Sequence, residues 1–448
     1  MNKYAELMNE IERRIEDGSI RGGQKLPSIR DLSDRYGCSK STVVRAYAEL
    51  EKRHVVYSVP QSGYYAVLKR VEADRRTETP VLDFSSPAPD PELFPYLDFQ
   101  HCLNKAIDTY RHHLFTYGTS QGLPSLLAVL VKHLADYQVF ARPGQIAISS
   151  GVQQALSILS TMPFPGGRRT VLLEQPSYRI LIELLGLHGI PAQGIVRTEN
   201  GIDLDELERL FRTGDIKMFY TIPRFHNPLG TSYAEKTKKA IAELAERYGV
   251  YIVEDDYLAD LETDSKSDPI HAYAPSRVVY LKSYSKMLFP GLRVGVVVLP
   301  PELQETFALY KRLSDIDSSM LSQAALEIYI RSGMFERRKQ AILASYRERL
   351  ARLNEALDAC NDTKDVRHAR VRAGVHTHIE LPGRVHLPTL FDRLYRQKRI
   401  VLKGIDAGYL ASFEKRPIVK LSITQVAEDR IADGVAAIFD EIRKFKSR

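Results

Sequence analysis

The strongest chemical signal in this 448-residue sequence is a lysine that precedes an arginine and has two serines beside it. Lys286 follows the apolar run at 278–281, and Ser283, Ser285 and Arg293 lie close to it in the chain. A lysine amine can form a Schiff base with an aldehyde, while hydroxyl groups and a guanidinium fork can hold a phosphate. The stretch therefore predicts a site for a phosphorylated aldehyde cofactor. A lysine that extends its ammonium group into solvent is the alternative interpretation.

Other groups that a pyridoxal phosphate needs follow other apolar runs. A Ser-Gly pair opens the helical stretch SSGVQQAL at 149–156, whose first amides can bind the phosphate. The EDDY stretch at 254–257 ends an apolar run with carboxylates, one of which can pair with a protonated ring nitrogen. Asn227 and Tyr257 can donate to the phenolic oxygen of the ring, and Tyr178 can stack on its face. Each has an ordinary structural explanation alone, but parallel strands bring such groups to one edge of a sheet.

The elements that would position these residues alternate between apolar strands and amphipathic helices. Near-continuous apolar runs predict buried strands at 170–174, 217–222, 250–255, 278–283 and 294–300. Such runs are typical of a sheet that is covered on both faces, and helical patterns such as 232–249 lie between them. The alternation predicts an α/β architecture, a mostly parallel sheet with helices on both faces. Residues 301–358 are predicted to be helical, and 366–448 to form a small α+β unit that ends in a helix at 427–445.

The first seventy residues predict a separate domain. Apolar spacing and capping residues predict a helix at 2–17, a short helix capped by Ser28 and a longer helix at 40–53 capped by Ser39. Two β-rich runs around the Gln-Ser-Gly at 61–63 predict a hairpin. This order of elements is typical of a winged helix-turn-helix.

The third of these helices begins with the residue types that contact DNA. Short donors and cations in its first turns can reach base edges and phosphates. The candidate DNA-binding residues are Ser39, Lys40, Ser41, Thr42 and Arg45 on this helix, Arg30 on the preceding helix, and Ser62 and Gly63 at the wing tip. Residues 1–70 contain 13 lysines and arginines against nine aspartates and glutamates. Charge alone therefore does not decide between DNA binding and a small protein–protein module.

The composition limits the remaining classes of protein to which the chain can belong. The net charge of +7 permits a polyanionic partner without requiring one. The three cysteines, Cys38, Cys102 and Cys360, are far apart, which argues against a disulfide framework or a metal site. No apolar run approaches the roughly 20 residues of a membrane helix, and the acid-rich start is not typical of a signal peptide. We therefore expect a cytoplasmic protein with no metal and no membrane partner.

The sequence motifs of the N-terminal domain resemble those of a known family. LPSIRDLSDRYGCSKSTVVRAYAEL, followed by SVPQSGYYAV, closely resembles the winged helix-turn-helix of GntR-type regulators across residues 3–67. Gln61 departs from the glycine that is common in the wing turn of that family. The resemblance implies transcriptional regulation and dimeric binding to a double-stranded DNA operator.

Residues from about 80 to 445 resemble the fold-type I, class I aminotransferases. YGTSQGLPSL, SSGVQQAL, EQPSY, HNPLG, EDDY and SYSKMLFPGLRVG occur in that family's order. The resemblance implies pyridoxal 5′-phosphate as the cofactor, Lys286 as the lysine of its internal aldimine and Asp255 as the partner of the ring nitrogen. Asn227 and Tyr257 would contact the phenolic oxygen and Tyr178 would stack. The phosphate would be held by Val152, Gln153, Ser283, Ser285 and Arg293, and by Tyr117 of the neighbouring subunit in a homodimer.

The fusion of these two parts resembles the MocR subfamily of GntR regulators. The charged stretch at 69–80 lacks apolar periodicity and predicts a linker between a DNA-binding domain at 1–68 and a cofactor domain at 81–448. The cofactor domain would have a large part at about 115–320 and a small part at about 321–448 that includes its N-terminal segment. The resemblance implies that this domain senses an amine, an amino acid or pyridoxal phosphate itself.

Lys420 is a departure from the aminotransferase pattern. It stands where these enzymes usually carry the arginine that clamps the substrate carboxylate, and a lysine lacks the planar fork. We expect Lys420 to contact an effector and amino-acid turnover to be weakened. The alternatives are a catalytically active aminotransferase with an accessory DNA-binding domain, and a vestigial cofactor site in a domain that serves only dimerisation.

Overall fold

The chain forms two compact units, Met1–Thr79 and Pro80–Arg448. The computed structural model describes residues 3–53, 55–59, 61–67, 81–264, 266–362 and 365–445. The predicted linker at 69–80 lies outside the described residues. Within the described ranges, no helix has both the length and the apolar character needed to cross a membrane.

The first unit has the predicted winged helix-turn-helix order. Its elements are α1 (Lys3–Glu16), α2 (Ile29–Tyr36), α3 (Lys40–Lys52), β1 (Val56–Val59) and β2 (Gly63–Ala66), the last two forming an antiparallel hairpin. Ser28 and Asp31 form a reciprocal capping box at the start of α2, and Ser39 caps α3. Gly37 ends α2 in the left-handed conformation, with φ 55°. These local signals explain why the sequence predicts the helix ends well.

One face of α3 forms the core of this unit. Its apolar stripe, Val43, Ala46, Tyr47 and Leu50, is fully buried and packs with apolar residues of α1, such as Leu7. The Tyr47 hydroxyl donates to the carbonyl of Pro27 at 2.6 Å, so the buried phenol keeps a hydrogen-bond partner. The opposite face of α3 remains available for a ligand.

The second unit is built on a seven-stranded sheet. Its strands are β4 (Ile146–Ser149), β5 (Thr170–Gln175), β6 (Ala192–Val196), β7 (Ile216–Thr221), β8 (Tyr251–Asp255), β9 (Val278–Ser283) and β10 (Gly295–Val298). Their spatial order is β4-β10-β9-β8-β7-β5-β6. The strands β6, β5, β7, β8 and β9 are parallel neighbours, and β10 is antiparallel to both β9 and β4. The predicted mostly parallel sheet is therefore confirmed.

Helices cover both faces of this sheet. They are α4 (Tyr96–Tyr110), α5 (Pro124–Ala135), α6 (Val152–Thr161), α7 (Arg179–Leu187), α8 (Leu204–Thr213), α9 (Glu235–Tyr248), α10 (Pro301–Ser314) and α11 (Met320–Arg331). Neighbouring residues of one strand show the two faces. Val253 packs with residues of α6 and α7, whereas Ile252 packs with residues of α8 and α9. Side chains of a strand alternate between faces, so a strand covered on both sides reads as continuously apolar.

The C-terminal part forms a small α+β layer, as predicted. It contains α12 (Met334–Cys360), β11 (Arg367–His368), β12 (His376–Glu380), α13 (Leu387–Lys398), β13 (Ile400–Val401), β14 (Ile418–Ser422) and α14 (Ile431–Arg443). A short strand β3 (Leu82–Asp83) pairs in parallel with β13. This pairing fastens the segment that begins at residue 81 to the C-terminal part.

Candidate functional site

The carboxyl ends of the parallel strands open into a cavity of about 480 Å³. This volume is typical of a small-molecule site. The predicted residues that line it are Val152, Gln153, Tyr178, Asn227, Asp255, Tyr257, Ser283, Ser285, Lys286, Arg293 and Lys420. Tyr117 does not line it, because its side chain lies at the surface and is 82% exposed. A residue predicted to serve the neighbouring subunit would need such exposure.

One end of the cavity is built for an anion. Gly151 precedes α6 with φ 83°, and no side chain caps the first amides of this helix. The Arg293 guanidinium donates to the Ser150 carbonyl at 2.7 Å. A Cβ on Gly151 would lie 2.6 Å from a nitrogen of the same guanidinium. Free helix amides and a guanidinium at one place match the phosphate of the predicted cofactor.

The ring end of the cavity is marked by Asp255 at the end of β8. Its Oδ2 accepts a hydrogen bond from the Tyr220 hydroxyl at 2.7 Å, whereas its Oδ1 is buried and has no hydrogen-bond partner among the described residues. Burial raises the pKa of Asp255 to about 7, although the Tyr220 hydrogen bond acts in the opposite direction. A buried carboxylate oxygen without a partner fits a protonated ring nitrogen.

The residues predicted to surround the ring lie in the cavity wall. Tyr178 approaches Gln153, whose Nε2 lies 3.3 Å from the tyrosine hydroxyl. The Tyr257 hydroxyl donates to the Phe225 carbonyl at 3.0 Å, so in this structure it is directed to the backbone. Asn227 lies in the turn that follows β7 and lines the cavity.

Lys286 lies just beyond the end of β9. Its ammonium nitrogen donates to the carbonyl of Pro87. Burial and, to a smaller extent, the positive charge of Lys420 together lower the pKa of Lys286 to about 8. A lower pKa leaves more of the amine unprotonated near neutral pH, which is the form that attacks an aldehyde.

A buried polar network that sequence reasoning missed holds the turn of Asn227. The Glu174 carboxylate, at the end of β5, accepts from Thr221 Oγ1 and the Ile222 amide, each at 2.9 Å. Arg197 Nη1 and His226 Nε2 lie 3.3 and 3.2 Å from it. The residues of this network come from separate strands and loops, so no local pattern indicates them together, although the EQPSY stretch contains Glu174.

Sequence reasoning also missed several residues of the cavity wall. They are Ser85 and Pro87 after β3, Arg179 at the start of α7, His376 on β12, Lys403 after β13 and Ser422 on β14. Most of these are single polar or charged residues in loops or at strand ends. Arg179 directly follows the EQPSY stretch and Ser422 follows Lys420 by two residues, but the others lie far in the chain from the recognised motifs. The pairing of β3 with β13 and of β12 with β14 brings all of them except Arg179 to the cavity.

Five of the candidate DNA-binding residues, Ser39, Lys40, Ser41, Thr42 and Arg45, lie on α3 or at its N-terminal cap. Lys40, Ser41 and Arg45 are exposed on α3, and the Arg45 guanidinium stacks over the Tyr4 ring at 4.5 Å. The Ser39 Oγ accepts from the Thr42 amide at 3.2 Å and contacts the hydroxyls of Ser41 and Thr42. Ser39 is therefore committed to capping, and Thr42 is half-buried.

The other candidates lie on α2 and in the hairpin. Arg30 is exposed on the first turn of α2. Gly63, with φ 115°, is exposed at the wing turn. The Ser62 hydroxyl lies 2.6 Å from the Tyr65 hydroxyl, so this serine helps to shape the wing.

Comparison with known proteins gives matches to both units. Residues 92–413 match the family aminotransferase class I and II, and residues 3–65 match the bacterial regulatory proteins of the gntR family. The chain is 51% identical to YcxD of Bacillus subtilis strain 168, an uncharacterized HTH-type transcriptional regulator, over 99% of this chain and 100% of that protein.

Solved structures match the second unit. Kynurenine aminotransferase of Pyrococcus horikoshii, in complex with PMP, has a TM-score of 0.76 and 25% identity, covering 83% of this chain and 92% of that one. LysN, an alpha-aminoadipate aminotransferase of Thermus thermophilus complexed with N-(5′-phosphopyridoxyl)-L-leucine, has a TM-score of 0.73 and 27% identity. It covers 82% of this chain and 92% of that one.

Proposed function

The chain belongs to the aminotransferase class I and II family, with a gntR-family domain in front, and from this premise we propose that it senses a small amine or amino acid at a pyridoxal phosphate site. It is a transcription regulator of the MocR architecture, since it shares both domains with HTH-type transcriptional regulators. Its gntR-type domain implies DNA as a partner. Pyridoxal 5′-phosphate is the expected cofactor of the second domain.

The observation that carries the proposal is that Asp255 Oδ1, which has no hydrogen-bond partner in the described part of the chain, lies in the same cavity as Lys286 and Arg293. Pyridoxal phosphate, when bound, supplies an aldehyde that reacts with amines and a ring that withdraws electrons. Lys286 would hold the cofactor through its amine, and Asp255 would keep the proton on the ring nitrogen. The phosphate would be held by Val152, Gln153, Ser283, Ser285 and Arg293.

The remaining site residues would orient the ring and complete the site. Asn227 and Tyr257 would contact its phenolic oxygen, and Tyr178 would stack on its face. Lys420 would contact the effector. Tyr117 would reach the phosphate of a second copy, which makes the working form a homodimer.

The segment that follows the predicted linker in the chain contributes residues to this cavity. Pro87 accepts a hydrogen bond from Lys286, and Ser85 and Pro87 line the cavity. The same segment is held by the Ser422 amide, which donates to Phe84 at 2.7 Å, and by an ion pair of 2.7 Å between Asp90 and Arg349. A ligand that changes the bonding of Lys286 would release or strengthen the hydrogen bond to Pro87.

The domain organisation is part of the same proposal. DNA binding would reside in residues 1–68, the linker in 69–80 and effector binding in 81–448, with a large part at about 115–320 and a small part at about 321–448. The division of the chain into compact units after Thr79 supports the boundary near residue 80. The homodimer would act on a double-stranded operator in the cytoplasm.

Visible absorbance of the lysine-bound cofactor provides the first test of this proposal. The purified full-length protein should show this absorbance after incubation with pyridoxal phosphate, and an amine or amino acid should change it. Lys286→Ala should lack it, whereas Lys398→Ala, which replaces an exposed lysine on α13, should keep it. An unaltered spectrum in wild-type protein, whichever amine is added, would reject the sensing proposal.

A working aminotransferase is the second candidate. The lowered pKa of Lys286 favours it, because an unprotonated amine suits repeated exchange with amino acids. Single-turnover mixing with amino acids distinguishes the two. Conversion of the cofactor at rates of about 1 to 1000 per second, which are usual for enzymes, would support the enzyme, and much slower conversion would support the sensor.

A further inference from the structure

Two lysines on adjacent backbone segments line the wall of the cavity. Lys403 follows β13, Lys420 is on β14, and both line the cavity. The neighbouring residues Gly404 and Val419 pair in an isolated antiparallel bridge, which sets the two lysines on adjacent backbones. Burial lowers the pKa of Lys420. The negative charge of Asp83 raises this pKa, and the positive charge of Lys403 lowers it.

No ion pair neutralises these two lysines within the described part of the chain. Asp83, the acid that raises the pKa of Lys420, has its Oδ1 engaged in the turn that follows β3. This oxygen accepts from the Ser85 amide and hydroxyl, both at 2.7 Å, and from the Ser86 amide at 3.1 Å. Asp83 therefore moderates the positive charge without forming an ion pair with either ammonium group.

The other charged groups of the cavity already have a counterpart. Arg293 is at the end suited to the cofactor phosphate, and Asp255, the only acidic residue among the described residues of the cavity wall, fits the ring nitrogen. Arg179 pairs with Glu183 at 2.9 Å. Burial and the nearby lysines hold the pKa of His376 well below its usual value, so its imidazole is neutral. Lys403 and Lys420 are therefore the cations left for the effector.

Their chemistry indicates which effector suits them. An arginine fork holds one carboxylate through two parallel hydrogen bonds, whereas each lysine supplies a separate point charge. Two such charges on adjacent backbones suit two acidic groups. A diamine would find no free carboxylate for its second ammonium group, and burial of an unpaired charge is unfavourable.

We propose that Lys403 and Lys420 form an anion subsite, and that the effector is an amino compound with two acidic groups, of which an amino dicarboxylate is the simplest. The proposal rests on the proposed sensing function and specifies its ligand class. Lys420 contacts the acid nearer the amino group, and Lys403, at the more exposed position, contacts the second acid.

Ligand titration of the cofactor-loaded full-length protein tests this subsite. The probes are glutamate, aspartate, alanine and 1,4-diaminobutane, each followed by the change in cofactor absorbance. We expect one of the dicarboxylates to bind at least about tenfold more tightly than alanine, since an added charge contact of about 1.4 kcal/mol gives this factor, and the diamine to bind most weakly. Alanine or the diamine binding as tightly as both dicarboxylates would overturn the proposal, as would the absence of any response.

Variants locate the selectivity. Lys403→Gln should lose roughly tenfold in dicarboxylate affinity and leave alanine affinity unchanged, whereas Lys420→Gln should weaken both. Lys398→Gln, outside the cavity wall, is the matched control and should behave as wild type. Retained cofactor absorbance in each variant shows that it is folded and loaded. Full dicarboxylate selectivity in Lys403→Gln would contradict the subsite and leave the sensing proposal intact, whereas wild-type protein that never acquires cofactor absorbance would contradict both.

Discussion

Replacement of Asp255 by asparagine should stabilise the cofactor-free protein and weaken cofactor binding at the same time. Burial raises the pKa of Asp255 from 3.8 to about 7, so the folded protein must keep an unfavourable charge above that pH. A pKa shift of one unit corresponds to about 1.36 kcal/mol. The shift from 3.8 to about 7 therefore costs up to about 4 kcal/mol of folding free energy at pH 8. Asparagine removes the charge and can still accept the hydrogen bond from Tyr220.

The pH dependence gives the sign of this effect. The pKa of this acid is higher in the folded protein, so its cost is absent below the unfolded value of 3.8, grows as the pH rises, and is complete above about 7. The advantage of Asp255→Asn should therefore be small at pH 4 and largest at pH 8. Its affinity for pyridoxal phosphate should fall by about thirtyfold or more, because loss of one partner of a buried charge pair costs about 2 kcal/mol or more.

Urea unfolding of cofactor-free wild type and variant from pH 4 to pH 8, with a cofactor titration at pH 8, measures both effects. Asp256→Asn is the matched control, since this neighbouring carboxylate is buried and bonded to Arg224 Nε at 3.0 Å. It should lose about 3 kcal/mol or more, because it leaves a buried cation unpaired. If Asp255→Asn destabilised the protein at pH 8, or if its advantage did not grow with pH, the reasoning about a buried charge awaiting a partner would be wrong.

Three further predictions concern single elements. Lys40→Ala and Arg45→Ala should each weaken binding to DNA and reduce the slope of log affinity against log salt by about 0.9 per lost phosphate contact. Gel shifts over a salt series measure this slope, and wild-type behaviour of both variants would refute the assignment of α3 as the recognition helix. Ser39→Ala should destabilise the first unit by about 1 kcal/mol through loss of the α3 cap, which denaturant unfolding would detect and an unchanged midpoint would exclude. Gly151→Ala should weaken cofactor binding, since φ is 83° at this position and the new Cβ would lie 2.6 Å from a nitrogen of the Arg293 guanidinium. Gly144→Ala is the control, because a Cβ there would meet no other atom within 4 Å, and it should bind the cofactor normally in the same absorbance titration.

Local signals made much of the fold predictable. Two of the helices of the first unit, α2 and α3, are capped by Ser28 and Ser39, where a side chain and a backbone amide within three residues form the cap. The buried strands of the second unit read as continuous apolar runs because helices cover both faces of the sheet. Two strands of that sheet, β4 and β6, were absent from the predicted set. Residues of β6 such as Val196 are 52% exposed, so this edge strand lacks the continuous apolar signal.

Long-range pairing explains what the sequence could not predict. Strand β3 is two residues long and pairs with residues more than three hundred positions later in the chain, so no local pattern reveals it. This pairing carries Ser85 and Pro87 to the cavity, and the bridge between Gly404 and Val419 brings two lysines together. Eleven of the twelve residues predicted for the cofactor and effector site line the cavity, whereas their roles remain predictions.

The central claim is that the bonding state of Lys286 governs DNA binding. The direct measurement is the affinity of full-length wild type and Lys286→Ala for a duplex that the wild-type protein has selected from a random pool, each with and without pyridoxal phosphate at fixed salt. We predict that the cofactor changes the affinity of wild type by about tenfold or more, which corresponds to a coupling free energy of about 1.4 kcal/mol, and that Lys286→Ala shows no change. Equal affinities of the wild-type protein with and without cofactor, or the same response in Lys286→Ala, would contradict the claim.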